Sequence, residues 1–157
     1  MKILALNKKA TFDYQILETF EAGMILFGYE VKSIRAGQMS LKGTYISFKV
    51  NKKNNNEAYL IGAFIPLYKP AGVRDDYKPD RPRKILLKKK EINHLVGKKQ
   101  EKGLTVIPVK VYTNSSFIKL EIAVVKGKKA FDKREDSKKK DIDKHIRILT
   151  KKRIKEH

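Results

Sequence analysis

The sequence holds no cysteine, which excludes disulfide frameworks, thiolate zinc sites and cysteine nucleophiles together. Its three histidines, His94, His145 and His157, fall at no metal-ligand spacing. Acidic residues are scarce, 17 against 37 Lys and Arg, and no Ser/His/acid set or carboxylate dyad stands out among them. The chain therefore reads as a binding protein rather than an enzyme, with no cofactor and no metal. Long apolar runs are missing as well, since nothing approaches the roughly 18 residues of a membrane span. The apolar segment between Lys2 and Asn7 is shorter than the roughly 7–15 residues of a signal-peptide core. The expectation is a cytoplasmic protein.

What is present in excess is positive charge. The 157 residues, about one domain in length, carry a net charge of +20, and 30 of the 37 basic residues are Lys. Charged residues make up 34%, against about 25% in an average soluble protein. Such an excess repels itself and points to a polyanionic partner, nucleic acid first and an anionic membrane surface second.

Hydrophobic periodicity over residues 12–65 and 104–125 predicts strands. Phe12, Tyr14, Ile16 and Phe20 alternate with Asp13, Gln15 and Thr19, and the apolar run Met24–Phe27 reads as a strand buried on both faces. Ile46, Phe48 and Val50 share one parity, a polar cluster at 51–56 makes a hairpin loop, and Ala58–Ile65 returns. Ile107, Val109 and Val111 share a parity; Asn114–Ser116 turns the chain; Ile118, Leu120, Ile122 and Val124 then alternate with Phe117, Lys119, Glu121 and Ala123. Tyr68–Arg83, with Pro70, Pro79 and Pro82, is a long loop. One internal helix follows at Lys88–Lys102, with Ile92, Leu95 and Val96 on one face and Gly103 at its end. Five or six short strands with one inserted helix predict a mostly β fold: a small closed antiparallel barrel of the OB type, covering residues 1–125. Residues 126–157 form a basic tail, 14 basic against 6 acidic, whose thin apolar stripe Ile142, Ile146 and Leu149 is too narrow to fold alone.

Two basic segments admit two readings each. In Glu30–Gly37, Lys32 and Arg35 could hold phosphates while Ser33 bonds a ribose 2′-OH; the alternative is a solvated helical turn with Glu30 paired to a Lys or Arg. Arg81–Lys84 and Lys88–Lys90 bracket Ile85–Leu87, either as a strip along an RNA backbone or as a core segment with charged flanks. Gly127-Lys128-Lys129 fails the phosphate-loop pattern, because Ile122 stands where its first Gly belongs.

Taken together, Ala5–Ala10, Phe20–Gly23, Gly28–Gly37, Pro82–Leu87, Glu91–Asn93, Gly103–Thr105, Val125–Lys129 and Asp132–Asp136 resemble one family, the SsrA-binding proteins, also called small protein B or SmpB. The resemblance spans nearly the whole chain in order. It implies an OB-fold-like barrel whose basic tail becomes helical on the ribosome. It implies an adaptor that binds the tRNA-like domain of transfer-messenger RNA and delivers it to stalled ribosomes for trans-translation. Alanyl-tRNA synthetase and elongation factor Tu are met only through that RNA, and no membrane is involved. The RNA-side residues carried over are Glu21, Leu86 and Lys119, with Asn7, Lys8 and Arg35 added. Lys119 would neutralise phosphate, Leu86 would pack on an exposed base, and Glu21 would accept from a base amine or 2′-OH. In the tail the resemblance marks Gly127, Lys128, Lys129, Asp132, Lys133 and Arg134, acting in the decoding centre and the empty message channel. Phe12 and Phe131 stand where relatives carry His.

Two rival readings differ in kind. A generic single-strand-binding OB module would present several exposed aromatic platforms, whereas most of the 14 aromatics sit at strand positions suited to a core. An RNA-acting enzyme would need acids, bases or metal ligands that the sequence does not supply.

Overall fold

The computed structural model describes residues 1–128. The tail positions Lys129, Phe131, Asp132, Lys133 and Arg134 lie outside the described residues. Seven strands are present: β1 (Lys2–Leu6), β2 (Tyr14–Met24), β3 (Tyr45–Val50), β4 (Asn56–Ile61), β5 (Arg83–Leu86), β6 (Leu104–Asn114) and β7 (Phe117–Gly127). Three helices, α1 (Lys8–Asp13), α2 (Gly28–Arg35) and α3 (Lys89–Gln100), join them, with a 3-10 turn at Lys69–Ala71 in the long loop. The sheet runs β1-β6-β7-β2-β5-β4-β3, antiparallel at every ladder. The mostly β antiparallel architecture, the hairpin at 51–55, the long loop and α3 between β5 and β6 all follow the sequence expectation. Gly103, in the left-handed region at φ 82°, turns the chain from α3 into β6.

Closure differs from expectation. β1 and β3 are the outer strands and do not pair, so the backbone ladder stays open where a closed barrel would join them. Both edges are protected by other means. The pairing of β1 is broken by a bulge at Leu4, and the Lys99 ammonium of α3 donates to the Ile46 carbonyl of β3 at 3.1 Å. Side chains nevertheless build one interior to which all seven strands contribute, among them Ala5, Ala22, Ile46, Leu60, Ile85, Val111 and Leu120. Leu95 of α3 and Ile34 of α2 enter the same core, each fully buried.

Parity fails at one place on β6. The register skips Val109 between Pro108 and Lys110, a bulge that adds one residue to the strand. Val106 and Val111 therefore point into the main core, while Ile107 and Val109 point to the opposite face. There they meet Ala123 and Val125 of β7 and Ala10 of α1, which is fully buried. So α1 covers part of the outer face of the sheet. It stands in place of the strand expected near Phe12, with Ala10 set against those four side chains; Phe12 is half-buried on the helix.

Two further corrections concern residues 24–37. Strand β2 ends at Met24, and Ile25 and Phe27 are about half exposed, so Met24–Phe27 is no doubly buried strand. The chain then enters α2, where Glu30, Ser33 and Ile34 are buried at helical spacing. The helical turn with Glu30 paired to Arg, one of the two readings of this segment, is therefore present, but Glu30 and Ser33 are buried where that reading has a solvated turn. Ser33 donates to the Pro66 carbonyl at 2.7 Å and so is not available to a ribose.

Glu30 is the centre of a buried ion cluster. Its carboxylate accepts from Arg83 Nε at 3.0 Å and Nη2 at 2.7 Å, from the Phe27 amide at 2.9 Å, and from Arg81. Arg83, equally buried, also donates to the Ala63 carbonyl at 2.6 Å and the Pro79 carbonyl at 2.7 Å. The Tyr77 hydroxyl donates to the Ile65 carbonyl at 2.6 Å and lies 3.1 Å from Glu30. An unpaired buried charge costs several kcal/mol, so these ions are tolerable only as a set. Burial would raise the Glu30 pKa, but the bonds from Arg81, Phe27 and Arg83 outweigh it and hold the carboxyl below its ordinary value. Burial, followed by the charge of Glu30, pushes the Tyr77 phenol up to about 12.

Glu30→Gln should therefore cost about 3–5 kcal/mol of stability at neutral pH, leaving two guanidinium groups without their counter-charge. A lowered folded-state pKa means the contribution of Glu30 is complete above its ordinary value of 4.5 and fades as pH falls through the folded value. Urea denaturation from pH 7 down to pH 3 should show the gap between wild type and variant narrowing in acid. A gap that is small at pH 7, or that widens in acid, would refute this account.

Candidate nucleic-acid interface

Where α1 stops, no other element among the described residues covers the outer face of β2, β7 and β6. On β7 the outward residues change from Val125 and Ala123 beneath α1 to Glu121, Lys119 and Phe117 beyond it. Two rows of side chains cross this face. In the first, Glu21 of β2 is opposite Glu121 of β7, which is opposite Lys110 of β6, which is opposite Leu6 of β1. In the second, Leu86 of β5 is opposite Gly23 of β2, and Lys119 of β7 is opposite Tyr112 of β6 and so Ile3 of β1. Continuing the β2–β7 register by one step sets Gly23 beside Lys119.

The structure thus brings Glu21, Leu86 and Lys119 onto one face from three different strands. Leu86 is 51% exposed although it continues a strand whose Ile85 is buried. A Leu standing half in water on a polar face has a large apolar surface free to meet a base. Gly23 beside it carries no side chain, so the path from Leu86 to Lys119 stays flat. Lys119 Nζ lies 5.9 Å from the centre of the Phe117 ring, which is 68% exposed. The Tyr112 hydroxyl donates to Glu21 Oε2. Burial first, then the bond to Glu21, lifts that phenol to about 12, so it stays a donor across the working pH range. Lys110 Nζ approaches Glu121 Oε2 at 3.9 Å. A recess of about 270 Å³ opens among Glu21, Lys110, Tyr112, Asn114, Glu121 and Met1.

The added candidates stand elsewhere. Arg35, at the end of α2, donates to the Ser116 carbonyl at 2.7 Å and so braces the β6–β7 turn beside Phe117. Asn7 donates through its side chain to the Pro108 carbonyl at 2.8 Å, fixing the bulge of β6. With Lys8, Lys9 and Lys42 it lines a separate groove of about 310 Å³ along the β1 edge. Gly127 closes β7 opposite Tyr14, and Lys128 is tied to α1 through the Asp13 and Thr11 carbonyls at 3.0 and 2.7 Å. The Arg81–Lys84 strip is mostly turned inward: Arg81 and Arg83 serve Glu30, and Lys84 pairs with Glu57 at 3.3 Å. Lys32 lies 5.9 Å from the Tyr68 ring centre. Sequence reasoning passed over Lys110, Tyr112, Glu121 and Phe117; only the outward parity of β7 marked two of them. Among the described residues no group of three His, Asp or Glu is placed to hold a metal ion, and no helix is long and apolar enough to cross a membrane.

An antiparallel β-protein of strong positive charge, with one sheet face left open by the described residues and set with a mixed cluster of Lys, Glu, Tyr and apolar groups, is a small nucleic-acid-binding module in build. Comparison with known proteins narrows this. The chain belongs to the SmpB protein family, whose model matches residues 4–152. It is 50% identical to the SsrA-binding protein of Thermosipho melanesiensis over 148 residues, covering 94% of this chain and 97% of that protein. The SsrA-binding protein of Shouchella clausii is 47% identical over 153 residues, covering 98% and 94%. A chain of the solved structure "tmRNA-SmpB: a journey to the center of the bacterial ribosome" superposes with TM-score 0.64 at 41% identity, over 80% of this chain and 84% of that one.

The two central side chains should separate by salt dependence. Lys119→Ala should weaken binding to a tRNA-like RNA and lower the log–log salt slope by about one unit. Leu86→Ala should weaken binding with the slope unchanged, since an apolar contact releases no counterion. Because Leu86 is half exposed, its loss should leave the melting temperature within a few degrees of wild type. A larger drop would make Leu86 a packing residue instead.

Proposed function

We propose that this chain is a non-enzymatic adaptor that binds the tRNA-like domain of transfer-messenger RNA and delivers it to stalled ribosomes in trans-translation. The observation that carries the reading is the meeting of Glu21, Leu86 and Lys119, remote in sequence, on one uncovered sheet face of a chain from the SmpB family. On this face Lys119 meets phosphate, Leu86 packs on an unstacked base, and Glu21, held by Tyr112, accepts from a base amine or a 2′-OH. Arg35 extends the positive field at the β6–β7 turn, and Asn7 and Lys8 supply a second basic groove at the β1 edge.

Residues 126–157, net +8, act as the tail that enters the decoding centre and the empty message channel. Gly127 and Lys128, held against α1, set where that segment leaves the sheet, with Lys129, Asp132, Lys133 and Arg134 following. A cationic segment in a channel walled by rRNA gains from counterion release. Alanyl-tRNA synthetase and elongation factor Tu join through the RNA alone. The generic single-strand-binding reading is less well served. The large exposed aromatics among the described residues are Phe27, Tyr45, Phe64 and Phe117, and of these only Phe117 stands on the face, so a run of stacking platforms is missing.

Two measurements test this. Affinity for the tRNA-like RNA should fall steeply with salt, with a log–log slope of several units if each phosphate contact contributes about 0.7–0.9; a flat dependence would separate the charge from the binding. A chain ended after Lys129 should keep most of its RNA affinity and lose tagging of a protein made from a stop-less message. Tagging at full-length levels by that shortened chain would refute the two-part mechanism.

A further inference from the structure

The recess beside Lys119 holds two carboxylates in a protein that carries a net charge of +20. Glu21 and Glu121 are direct cross-strand neighbours, a pairing of like charges that costs stability in a sheet. Carboxylates repel phosphate, so this part of the face cannot serve the RNA backbone. Whatever docks here must offer N–H or O–H donors. The register gives the donors and acceptors an order. Reading across β6, β7 and β2, Lys110 is a donor, Glu121 an acceptor and Glu21 an acceptor. Tyr112 occupies Glu21 Oε2, which fixes that side chain and leaves Oε1 open. Lys110, 3.9 Å from Glu121, is near enough to balance its charge but too distant to consume its hydrogen-bonding capacity.

An unpaired base shows its Watson–Crick edge to such a row. Guanine presents O6, N1–H and N2–H in sequence: acceptor, donor, donor. This is the complement of Lys110, Glu121 and Glu21. Cytosine presents donor, acceptor, acceptor; uracil presents acceptor, donor, acceptor; adenine presents a donor beside a ring acceptor. Each of these sets at least one lone pair against a carboxylate. The recess, about 270 Å³, admits a purine, and its lining residue Tyr112 is the cross-strand partner of Lys119, which can hold the phosphate of the same nucleotide.

We infer that Lys110, Glu121 and Glu21 form a subsite that reads the Watson–Crick edge of one unpaired guanine in the bound RNA, with Tyr112 as the residue that positions Glu21. This rests on the adaptor reading above and names the base that the face selects. Glu121 and Lys110 thereby become specificity-determining residues of that face.

The test uses the full chain and a tRNA-like RNA in which unpaired guanosines are replaced by inosine one at a time. Inosine keeps O6 and N1–H and lacks only the N2 amine. At one position the wild-type affinity should drop roughly tenfold, the lower part of the range for a bidentate base contact. Glu21→Ala, which removes the acceptor that faces the N2 amine, should bind the guanosine and inosine forms equally, and it should fold stably because a like-charge cross-strand pair is removed. Tyr112→Phe should shrink the guanosine preference without changing the salt slope. If wild type shows no preference at any unpaired position, or Glu21→Ala keeps it, the guanine subsite is wrong while the adaptor reading stands. If wild type binds the tRNA-like RNA no better than an unstructured RNA of equal length, the adaptor reading itself falls, and the subsite with it.

Discussion

The carboxylate of Glu30, sealed among Arg83, Arg81 and the Phe27 amide, is the constraint on which the functional face depends. It joins α2 to the end of the long loop and to the first residue of β5 across 53 positions of sequence. Arg83 is fixed at both ends, by Glu30 on one side and by the Ala63 and Pro79 carbonyls on the other. Strand β5 is only four residues long, Arg83–Leu86; it pairs with β4 over Arg83, Lys84 and Ile85 but with β2 at just Gly23 and Met24. The ladder towards β2, the side that carries the outer face, is thus the short one. The ion cluster adds fixation to these ladders, and with Arg83 anchored, Leu86 three residues on is held on the outer face beside Gly23. An apolar cluster of equal volume could give as much stability, but it would not impose a single direction on the strand as a forked guanidinium does.

That same cluster explains why the basic residues could not be read by counting. Arg81, Arg83 and Lys84 form a dense basic run, yet all three have carboxylate partners within the protein. The partners lie far away in sequence, and Glu30 sits in a segment that looks solvated. A buried ion pair leaves no periodic trace. Lys88–Lys90, by contrast, stand exposed, and on the proposed face the cation is a single lysine, Lys119, on a strand that alternates with the core.

The strands were legible where the period of two ran unbroken. Along β7 the inward set Ile118, Leu120, Ile122 and Val124 is also the core set, because the strand is regular and both neighbours are strands. Along β6 the same reasoning failed at Val109, since a bulge changes parity without changing composition. Helix α1 was missed because it rests on a single Ala, and α2 was legible only as a solvated turn because it buries Glu30 and Ser33 where a helix would ordinarily bury Leu. The ladder left open between β1 and β3 belongs to the same class, because nothing in strand composition says whether edges meet or are shielded by a side chain such as Lys99. For the site, resemblance named Glu21, Leu86 and Lys119, but only the register shows that they share a face, and only the fold brings Tyr112 to Glu21 across 91 positions.

Net charge and the acidic pair serve opposite ends of recognition. A charge of +20 draws in any polyanion, and its reach is limited to about one Debye length, roughly 8 Å at physiological ionic strength. Attraction of that kind is common to all RNA and cannot select one. Selection comes from groups that penalise the wrong occupant as well as reward the right one. Carboxylates placed amid lysines do this, because they turn away phosphate and lone pairs and accept only matching donors. On the outer face the two functions are a single strand step apart, Lys119 in one row and Glu121 in the next. Since side chains two residues apart on a strand point the same way, a backbone phosphate held by Lys119 leaves its own base within reach of Glu121. On the proposed reading, the fixed repeat of the strand, more than the total charge, is what would let this face hold an RNA and inspect it at one place.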